Sequence, residues 1–320
     1  MSLSREKQTQ IDQVRSSVSQ SKANYPLFRD YVDLSGEIKR LEYEHLLCHD
    51  SFPIPSPVDR EGYLPDHDHH YWASGHIDWL NIQSAVNEFD IRPQPENRKL
   101  RLLDVGCATG RVLRHVHVFG SDKFEAWGTD LAPANVEWVK RHLPKAIQVS
   151  HNLSSPPLDY PDGFFDVVTG FSVIPHIDQL EREWLAELNR VTKPAGLLLL
   201  TVGNEATWAV AAKRENTIQH FANSNHIEGN EEFSRSTFEN PLLRDRVVRR
   251  LFTAEVYNCF IWHSNRYILE QWSDFLQVDR IVDLAHMRYQ SVLLARPKQI
   301  NHRRTGTDGR VRPKLEDRHQ

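Results

Sequence analysis

The sequence predicts an α/β fold: a seven-stranded, mostly parallel sheet with a helical N-terminal cap before it and an insertion after strand five. Two observations support this prediction. After Arg98, short apolar runs alternate with segments of helical periodicity, which is typical of strand–helix–strand units around a parallel sheet. The first of these runs, Leu100 to Val105, leads directly into a glycine-containing turn and an amphipathic segment, as the first strand of such a sheet does.

Seven apolar runs predict the individual strands. The first five would form the parallel part of the sheet, and the last two would form a closing pair at the end of the core. The runs are LRLLDV (100–105), AWGTDL (126–131), AIQV (146–149), FDVVTGF (165–171), LLLLTV (197–202), QVDRIVD (277–283) and YQSVLLA (289–295).

Segments with apolar residues three and four positions apart predict the helices, each with one buried face. They span residues 34–47, 74–89, 133–143, 179–191 and 264–275, and a further helix begins near Arg111. Ser264 stands at the start of the last of these helices, and its hydroxyl is expected to cap that helix.

Changes in composition divide the chain into five segments. Residues 204–255 are charged, with scattered aromatic side chains, and interrupt the strand–helix alternation, so they are expected to be an insertion that forms a substrate lid. The last residues are polar and basic, which predicts disorder. The division is a helical N-terminal cap region 1–97, a ligand-binding core 98–203, the insertion 204–255, the end of the core with a helix and the last two strands 256–298, and a disordered tail 299–320.

The overall composition is that of an ordinary globular protein, with 320 residues, of which 39% are hydrophobic and 26% are charged. The net charge of −4 argues against a standing affinity for nucleic acid or anionic membranes. The longest apolar run, Gly196 to Val202, is too short to span a bilayer, and the first residues do not resemble a signal peptide. Three widely spaced cysteines (Cys48, Cys107 and Cys259) form no disulfide or metal-binding pattern, so we expect a cytoplasmic protein.

The segment LLDVGCATGRVL (102–113) indicates the kind of ligand. A glycine-rich turn between a strand and a helix lets backbone N–H groups approach a nucleotide-like molecule. A dinucleotide site needs three glycines in the pattern G-x-G-x-x-G, whereas this turn has only Gly106 and Gly110, with Asp104 just before them. A carboxylate there would repel a pyrophosphate and suits a ligand that carries an ammonium and a sulfonium group. A second carboxylate, Asp130, ends strand two, where folds of this type bind the hydroxyl pair of a ribose.

This pattern, D-x-G-x-x-x-G with an acid at the end of strand two, resembles the class I S-adenosylmethionine-dependent methyltransferases, which have a Rossmann-like fold. Residues 150–177 are similar to the third and fourth motifs of that family, and LAELNRVTKPAG (185–196) is similar to its E-L-x-R-V-L-K-P-G-G segment. The resemblance covers Leu100 to Val202 and, more loosely, residues 264–296. Two positions depart from the family pattern: Asn152 replaces an aspartate beside the adenine, and Ala195 replaces a glycine.

The resemblance implies a set of contacts to S-adenosylmethionine. One group of residues would surround the methionine part, a second would hold the ribose and adenine, and a third would close the pocket near the sulfonium. The groups are, in that order, Asp104, Gly106, Cys107, Ala108 and Gly110; Asp130, Leu131, Asn152 and Leu153; and Gly170, Phe171 and Ser172.

Histidines near the end of strand four and before the late helix are candidates for a general base, because the unperturbed pKa of histidine lies close to neutral pH. His176 follows strand four, where the substrate pocket of the family begins, and His263 precedes the late helix. For both, a packing role is an open alternative. His286 falls in the turn between the closing strands and is expected to be solvated.

The segment PDHDHHYWASGHIDW (65–79) is rich in histidine and aspartate. Three interpretations of it are considered: a metal site, a cap over the cofactor, and a solvated loop that leads into a helix. A zinc site would use His67, His69 and His70 with Asp66 and Asp68, but the closed ligand spacing is missing and no carboxylate follows strand four, so no metal is expected. Alternatively the segment caps the cofactor, with Tyr71, Trp72 and Gly75 at the methionine end. It would otherwise be a solvated loop leading into a helix with Trp72 and Trp79 in the core.

The resemblance implies a methyltransferase, and we expect a small-molecule acceptor methylated on oxygen or nitrogen. DNA is not expected as a substrate, because the enzymes that methylate amino groups of DNA bases carry [DN]-P-P-[YF] after strand four, whereas here SSPPLDY follows strand three. Alternatives are a protein or RNA methyltransferase, to which the basic tail points, and a non-catalytic S-adenosylmethionine-binding regulator. A nicotinamide oxidoreductase is disfavoured by Asp104.

Overall fold

The computed structural model describes residues 49–60, 68–211, 213, 235–250, 259–287 and 289–298. The predicted helix over residues 34–47 and the predicted disordered tail 299–320 lie outside the described residues. Element labels below follow chain order within the described part.

A seven-stranded sheet forms the centre of the molecule, and the predicted seven-stranded, mostly parallel α/β fold is confirmed. Its strands run in the spatial order β3-β2-β1-β4-β5-β9-β8. The first five are parallel, whereas β9 pairs antiparallel with both β5 and β8. The bounds are β1 Leu100–Val105, β2 Phe124–Asp130, β3 Gln148–His151, β4 Phe165–Gly170, β5 Thr192–Val202, β8 Leu276–His286 and β9 Gln290–Pro297.

Helices lie along the chain between these strands. They are α1 Asp68–Glu88, α2 Leu113–Gly120, α3 Pro133–His142, α4 Glu181–Val191, α5 Glu205–Ala211, α6 Arg235–Glu239 and α7 Asn265–Gln271. Short 3-10 turns span Pro57–Asp59, Ile174–His176 and Trp272–Asp274. The Ser264 hydroxyl accepts the backbone N–H of Tyr267, so the predicted cap of α7 is confirmed.

Two elements begin at least five residues earlier than predicted. Helix α1 starts at Asp68 and not at Ser74, so most of the histidine-rich segment is helical, and Tyr71 and Trp72 in its first turns are buried. Strand β5 starts at Thr192, because Thr192 pairs with Phe165 before the register moves on to Leu197 opposite Val167. The K-P-A-G segment is therefore a bulge inside the strand and not the end of the preceding helix.

The core lies on both faces of the sheet, since parallel strands are covered by helices on both sides. One cluster packs residues of α1, α2 and α3 against β1, with Trp79, Leu102 and Leu113 at its centre. The other packs α4 and α7 against the opposite face, around Leu103, Trp184 and Leu198.

A small unit with a second, two-stranded sheet lies between β5 and α7 along the chain. Strands β6 (Arg246–Arg250) and β7 (Cys259–His263) pair antiparallel, and Trp208, Phe238 and Trp262 pack together beside them. That this unit acts as a substrate lid stays a prediction. Within the described ranges, no helix combines the length and the apolar character needed to cross a bilayer.

Candidate functional site

Almost all the residues predicted to bind the cofactor come together at one edge of the sheet, at or just beyond the carboxyl ends of β1 to β4. This edge is where ligands bind in open α/β sheets. The residues at this edge are Asp104, Gly106, Cys107, Ala108, Gly110, Asp130, Leu131, Asn152, Leu153, Gly170, Phe171 and Ser172.

The turn after β1 requires its two glycines. Gly106 and Gly110 have φ values of +67° and +78°, in the left-handed region that side chains disfavour. A Cβ on Gly106 would lie 2.6 Å from Cγ2 of Val173, and a Cβ on Gly110 would lie 2.6 Å from Cδ1 of Leu143. The turn therefore approaches the segment after β4 as closely as backbone alone permits.

Hydrogen bonding within this turn differs from the expectation that its N–H groups face a ligand. The N–H groups of Gly106 and Cys107 donate to the Thr129 carbonyl, at 2.8 and 3.0 Å. The N–H of Ala108 donates to Oδ2 of Asp130 at 2.7 Å, and that of Gly110 donates to the Cys107 carbonyl at 2.9 Å. A bound phosphate would need these backbone N–H groups as donors, and all four already donate to acceptors within the protein. The polar groups that characterise this turn are therefore carboxylates.

Asp104 supplies the buried negative charge at the end of β1. One of its oxygens accepts the Thr169 hydroxyl at 2.7 Å. Burial raises the pKa of Asp104 to about 7, against opposing effects of the Thr169 hydrogen bond and the Arg111 charge. An anion in this position is poorly stabilised by the protein itself, and a cationic group of a ligand would stabilise it. The arrangement thus fits the ammonium group of S-adenosylmethionine.

The ends of β2 and β3 form the second half of the predicted pocket. Oδ1 of Asp130 accepts the N–H of Ala132 at 2.8 Å, which orients the carboxylate. Oδ1 of Asn152 accepts the Thr129 hydroxyl at 2.6 Å, so the amide lies next to the end of β2. Leu131 and Leu153 are 37% and 67% exposed. Exposed apolar side chains beside an oriented carboxylate suit a nucleoside, which has an apolar base and a polar sugar.

The segment after β4 carries backbone strain. Ser172 has a φ of +60°, which costs a non-glycine residue about 1–2 kcal/mol. Two hydrogen bonds hold it there: its N–H donates to the Thr201 hydroxyl, and its hydroxyl accepts from the Gln290 amide, each at 2.6 Å. Strain that the surroundings enforce is typical of ligand-binding positions.

His176 lies in the 3-10 turn after β4 and contacts β7. Its Nδ1 is 2.5 Å from the Cys259 carbonyl, and its ring meets Phe260 edge to face. Burial lowers the pKa of His176, which favours the neutral imidazole. Its role as the general base stays a prediction.

His263 is fully buried, which favours the packing alternative over the catalytic one. Its Nε2 is 2.6 Å from Oε2 of Glu181, and its ring stacks on Tyr267. Glu181 also accepts hydrogen bonds from the indole of Trp272 and the guanidinium of Arg246. This network joins β6, β7 and α7 to the first turn of α4.

The Glu181 network predicts a specific loss of stability in acid. Burial alone would raise the pKa of Glu181, but the hydrogen bond and charge of His263, with Trp272 and Arg246, lower it to about 2. Because the folded-state pKa lies below the unfolded value of 4.5, the stabilisation is present above pH 4.5 and is lost as the pH falls through about 2. In Glu181→Gln, the free energy of unfolding from urea titrations should be lower at pH 6 and depend less on pH below 4.5, a difference of about 3 kcal/mol.

Glu183→Gln, at an exposed position of the same helix, is the control and should match the parent at every pH. A Glu181→Gln deficit of constant size from pH 6 to pH 3 would contradict the assigned pKa shift.

Trp72 is the exception among the predicted cofactor residues. Its indole N–H donates to Oδ2 of Asp50 at 2.7 Å, and its ring stacks on His76 and meets His115 edge to face. This environment is that of a core residue, so the alternative with Trp72 in the core is the better description. The neighbouring Tyr71 reaches the glycine turn, with its hydroxyl 3.0 Å from Oγ1 of Thr109.

The metal-site interpretation finds no support in the described part of the segment. Asp68 bonds to the guanidinium of Arg60. Among the residues that the structure describes, no group of three or more histidine, cysteine, aspartate or glutamate side chains is arranged to hold a metal ion. Asp66 and His67 lie outside the described residues.

The expectation that His286 is solvated is wrong. His286 is buried, its ring stacks on Phe171 with 5.3 Å between centroids, and its Nδ1 is 3.2 Å from Oδ1 of Asp78. The other oxygen of Asp78 accepts Nη1 of Arg111 at 2.6 Å. Burial tends to raise the pKa of Asp78, but the charges and hydrogen bonds of His286 and Arg111 lower it overall. Sequence spacing offered no signal, since these residues come from three distant segments.

Comparisons with known proteins agree with this geometry. A family model described as a methyltransferase domain matches residues 80–244, which is more than half of the chain. The chain is 27% identical over 157 residues to the 2-methyl-6-phytyl-1,4-hydroquinone methyltransferase of Synechocystis sp., a match that covers 45% of this chain and 47% of that protein. The match thus spans about half of the length of that relative.

Solved structures are similar at lower identity. The PH0226 protein from Pyrococcus horikoshii OT3 is 16% identical, with a TM-score of 0.46, over 79% of this chain and 99% of that one. A SAM-dependent methyltransferase from Aquifex aeolicus is also 16% identical, with a TM-score of 0.39, over 67% of this chain and 87% of that one.

Proposed function

Because this chain belongs to the methyltransferase-domain family and is a class I S-adenosylmethionine-dependent methyltransferase, we propose that it methylates an oxygen or nitrogen atom of a small-molecule acceptor. When bound, S-adenosylmethionine supplies an activated methyl group. The protein aligns the acceptor with that group and accepts a proton where the acceptor carries one.

The residues at the sheet edge divide the binding of the donor between them in this proposal. Asp104 binds the ammonium group, since its buried carboxylate is the one most in need of a cation. Asp130 accepts the ribose hydroxyls, and Leu131 and Leu153 lie against the adenine, which covers their exposed apolar surface. Phe171 and Ser172 close the methionine end.

Enclosure on the acceptor side is the observation that supports a small acceptor most directly. Phe171, Asp78, His286 and Gln290 are all buried, although they border the end of β4 where the methyl group would arrive. Helix α1 and the turn between β8 and β9 cover them. Binding of a macromolecule would require a larger opening of this cover than binding of a small molecule. The relative from Synechocystis is named for a hydroquinone, which is a small molecule.

Transfer of a radiolabelled methyl group tests the proposal. The protein would be incubated with labelled S-adenosylmethionine and, separately, with hydroquinones and phenols, alkylamines, bulk tRNA, and a mixture of denatured proteins. We expect label in a phenol or amine product above the level given by Asp104→Asn. Label in tRNA or protein alone would refute the small-molecule acceptor and favour the alternative predicted from the basic segment 299–320, which lies outside the described residues.

A further inference from the structure

Three distant segments meet beside the end of β4. Asp78 comes from the middle of α1, Arg111 from the turn before α2, and His286 from the last residue of β8. Arg111 donates to one oxygen of Asp78 at 2.6 Å, and the other oxygen faces Nδ1 of His286 at 3.2 Å. Arg111, Asp78 and His286 therefore form a triad of side chains in contact, which ends on an imidazole.

The triad of Arg111, Asp78 and His286 lies next to the methionine end of the proposed donor site. The His286 ring stacks on Phe171, the residue directly after β4, at 5.3 Å between centroids with planes 23° apart. Gln290, which begins β9, donates to the Ser172 hydroxyl and so holds the turn between β8 and β9 against the same segment. The charges of Arg111 and Asp78 both act on the pKa of Asp104, which places them close to the proposed ammonium site.

The contact with Asp78 selects one tautomer of His286. The charges and hydrogen bonds of His286 and Arg111 lower the pKa of Asp78 against the effect of burial. An ionised carboxylate only accepts hydrogen bonds, so Nδ1 of His286, 3.2 Å from Oδ1 of Asp78, carries a hydrogen and donates it. In the neutral imidazole the lone pair then lies on Nε2. Asp78 also stabilises the imidazolium that forms when Nε2 takes up a proton. A base oriented by a carboxylate in this way is a recurring solution for activating a hydroxyl or amine.

We propose, resting on the proposed function, that His286 removes the proton from the methyl acceptor and that Asp78 and Arg111 are positioning residues for it. In the step, the lone pair of the acceptor oxygen or nitrogen forms a bond to the methyl carbon. The carbon–sulfur bond breaks, and its electron pair stays on sulfur, which gives S-adenosylhomocysteine. The acceptor proton moves to Nε2 of His286, which later releases it to solvent.

Two readouts separate this role from a packing role. The first is the tautomer of His286 in the protein without acceptor, read from nitrogen-15 chemical shifts of its imidazole. The wild type should carry the hydrogen on Nδ1 above neutral pH, and Asp78→Asn should shift part of the population to Nε2. If the hydrogen of the wild-type His286 imidazole lies on Nε2, the proposal is overturned, and this measurement needs no known acceptor.

The second readout is the dependence of rate on the acidity of the acceptor. With 1,4-hydroquinone as probe, His286→Gln should lower kcat by about 100-fold or more, in the range for loss of a general base. The acid limb of its kcat–pH profile should also disappear. With pentafluorophenol, which is already ionised at neutral pH, the loss should shrink to a few-fold because no proton has to be removed. Equal losses with both acceptors would overturn the proposal, because a packing defect does not distinguish them.

Controls make failure of this proposal distinguishable from failure of the proposed function. The dissociation constant of S-adenosylhomocysteine, measured by calorimetry, should change less than about threefold in His286→Gln and Asp78→Asn, which would show that the donor half is folded. A change of tenfold or more in both variants would overturn the role assigned to His286. His142→Gln, on α3, should behave as wild type. Loss of turnover in His176→Gln but not in His286→Gln assigns the base to His176 and overturns the proposal. Absence of transfer to any small acceptor, with the expected tautomer present, counts against the proposed function alone.

Discussion

Replacement of Asp104 by asparagine is expected to weaken binding of S-adenosylhomocysteine by about 100-fold, which corresponds to a charge-assisted hydrogen bond of up to about 3 kcal/mol. Asparagine keeps the size of the side chain and can still accept the Thr169 hydroxyl, so the change removes mainly the charge. Isothermal titration calorimetry at pH 8 measures the difference directly. The exposed Asp122→Asn, in the turn before β2, is the matched control and should bind as the parent does.

The same substitution should stabilise the ligand-free protein at high pH. Burial raises the pKa of Asp104 from 3.8 to about 7, so the folded state binds this proton more tightly than the unfolded state does. Its contribution to stability is therefore present below pH 3.8 and is lost as the pH rises through about 7. Asparagine does not titrate, so Asp104→Asn should gain up to about 4 kcal/mol over the parent at pH 8 and little at pH 4.

Both parts of this result are needed to support the assignment of Asp104. A variant that loses affinity and also loses stability at pH 8 would indicate a folding defect. A variant that keeps its affinity would show that the ammonium group is held elsewhere. A buried carboxylate that binds a cationic ligand group predicts both results together: Asp104→Asn binds S-adenosylhomocysteine more weakly, and its ligand-free form is more stable.

Removal of the Asp50 carboxylate should cause the largest loss of stability, about 3–5 kcal/mol, which is usual when one partner of a buried ion pair is left alone. Asp50 and Arg114 are both fully buried, and their bonds are 2.7 Å from Nε to Oδ2 and 2.8 Å from Nη2 to Oδ1. Asp50 also accepts the indole N–H of Trp72, so it joins the segment before α1 to both α1 and α2. Urea unfolding of Asp50→Asn at neutral pH measures the loss.

Two further variants check the cause of that loss. Glu137→Gln removes a partner of the exposed pair with Lys140, at 3.2 Å, and should cost less than about 1 kcal/mol. The double variant Asp50→Asn with Arg114→Met should be less destabilised than the sum of the single changes, because no charge is left buried alone. Additive losses would contradict a direct interaction between Asp50 and Arg114.

The position of the residues proposed to bind the donor was predictable from the sequence because its determinants are local. Asp104, Gly106 and Gly110 lie within one strand and the turn after it, and Asp130 ends the next strand. Parallel strands bring such positions to one edge regardless of what the rest of the chain does. The hydrogen bonds inside the turn were not predictable, because the Thr129 carbonyl that occupies two of its N–H groups has no signature in the sequence.

The position of His286, the proposed acceptor base, was not predictable for the opposite reason. In the sequence, His286 falls in a short polar stretch between two strands, a context typical of solvated residues. Its packing on Phe171 and its contact with Asp78 of α1 accompany its burial. The sequence made His263 a candidate general base, but its contact with Glu181 depends on strand β7 pairing with β6, which apolar patterns did not reveal. Trp72 lies in the first turns of α1, because this helix begins at Asp68, six residues earlier than its apolar periodicity indicated, and the Trp72 side chain packs in the core.

The contact between Asp78 and His286 joins positions 208 apart in the chain. Contacts of such high sequence separation form late, since closure of the intervening loop must be compensated by other interactions first. During synthesis, a chain that has emerged only as far as β5 would already contain every proposed ligand of the donor but would lack the imidazole opposite α1. Methyl transfer that depends on His286 would therefore require the complete core, including the turn between β8 and β9.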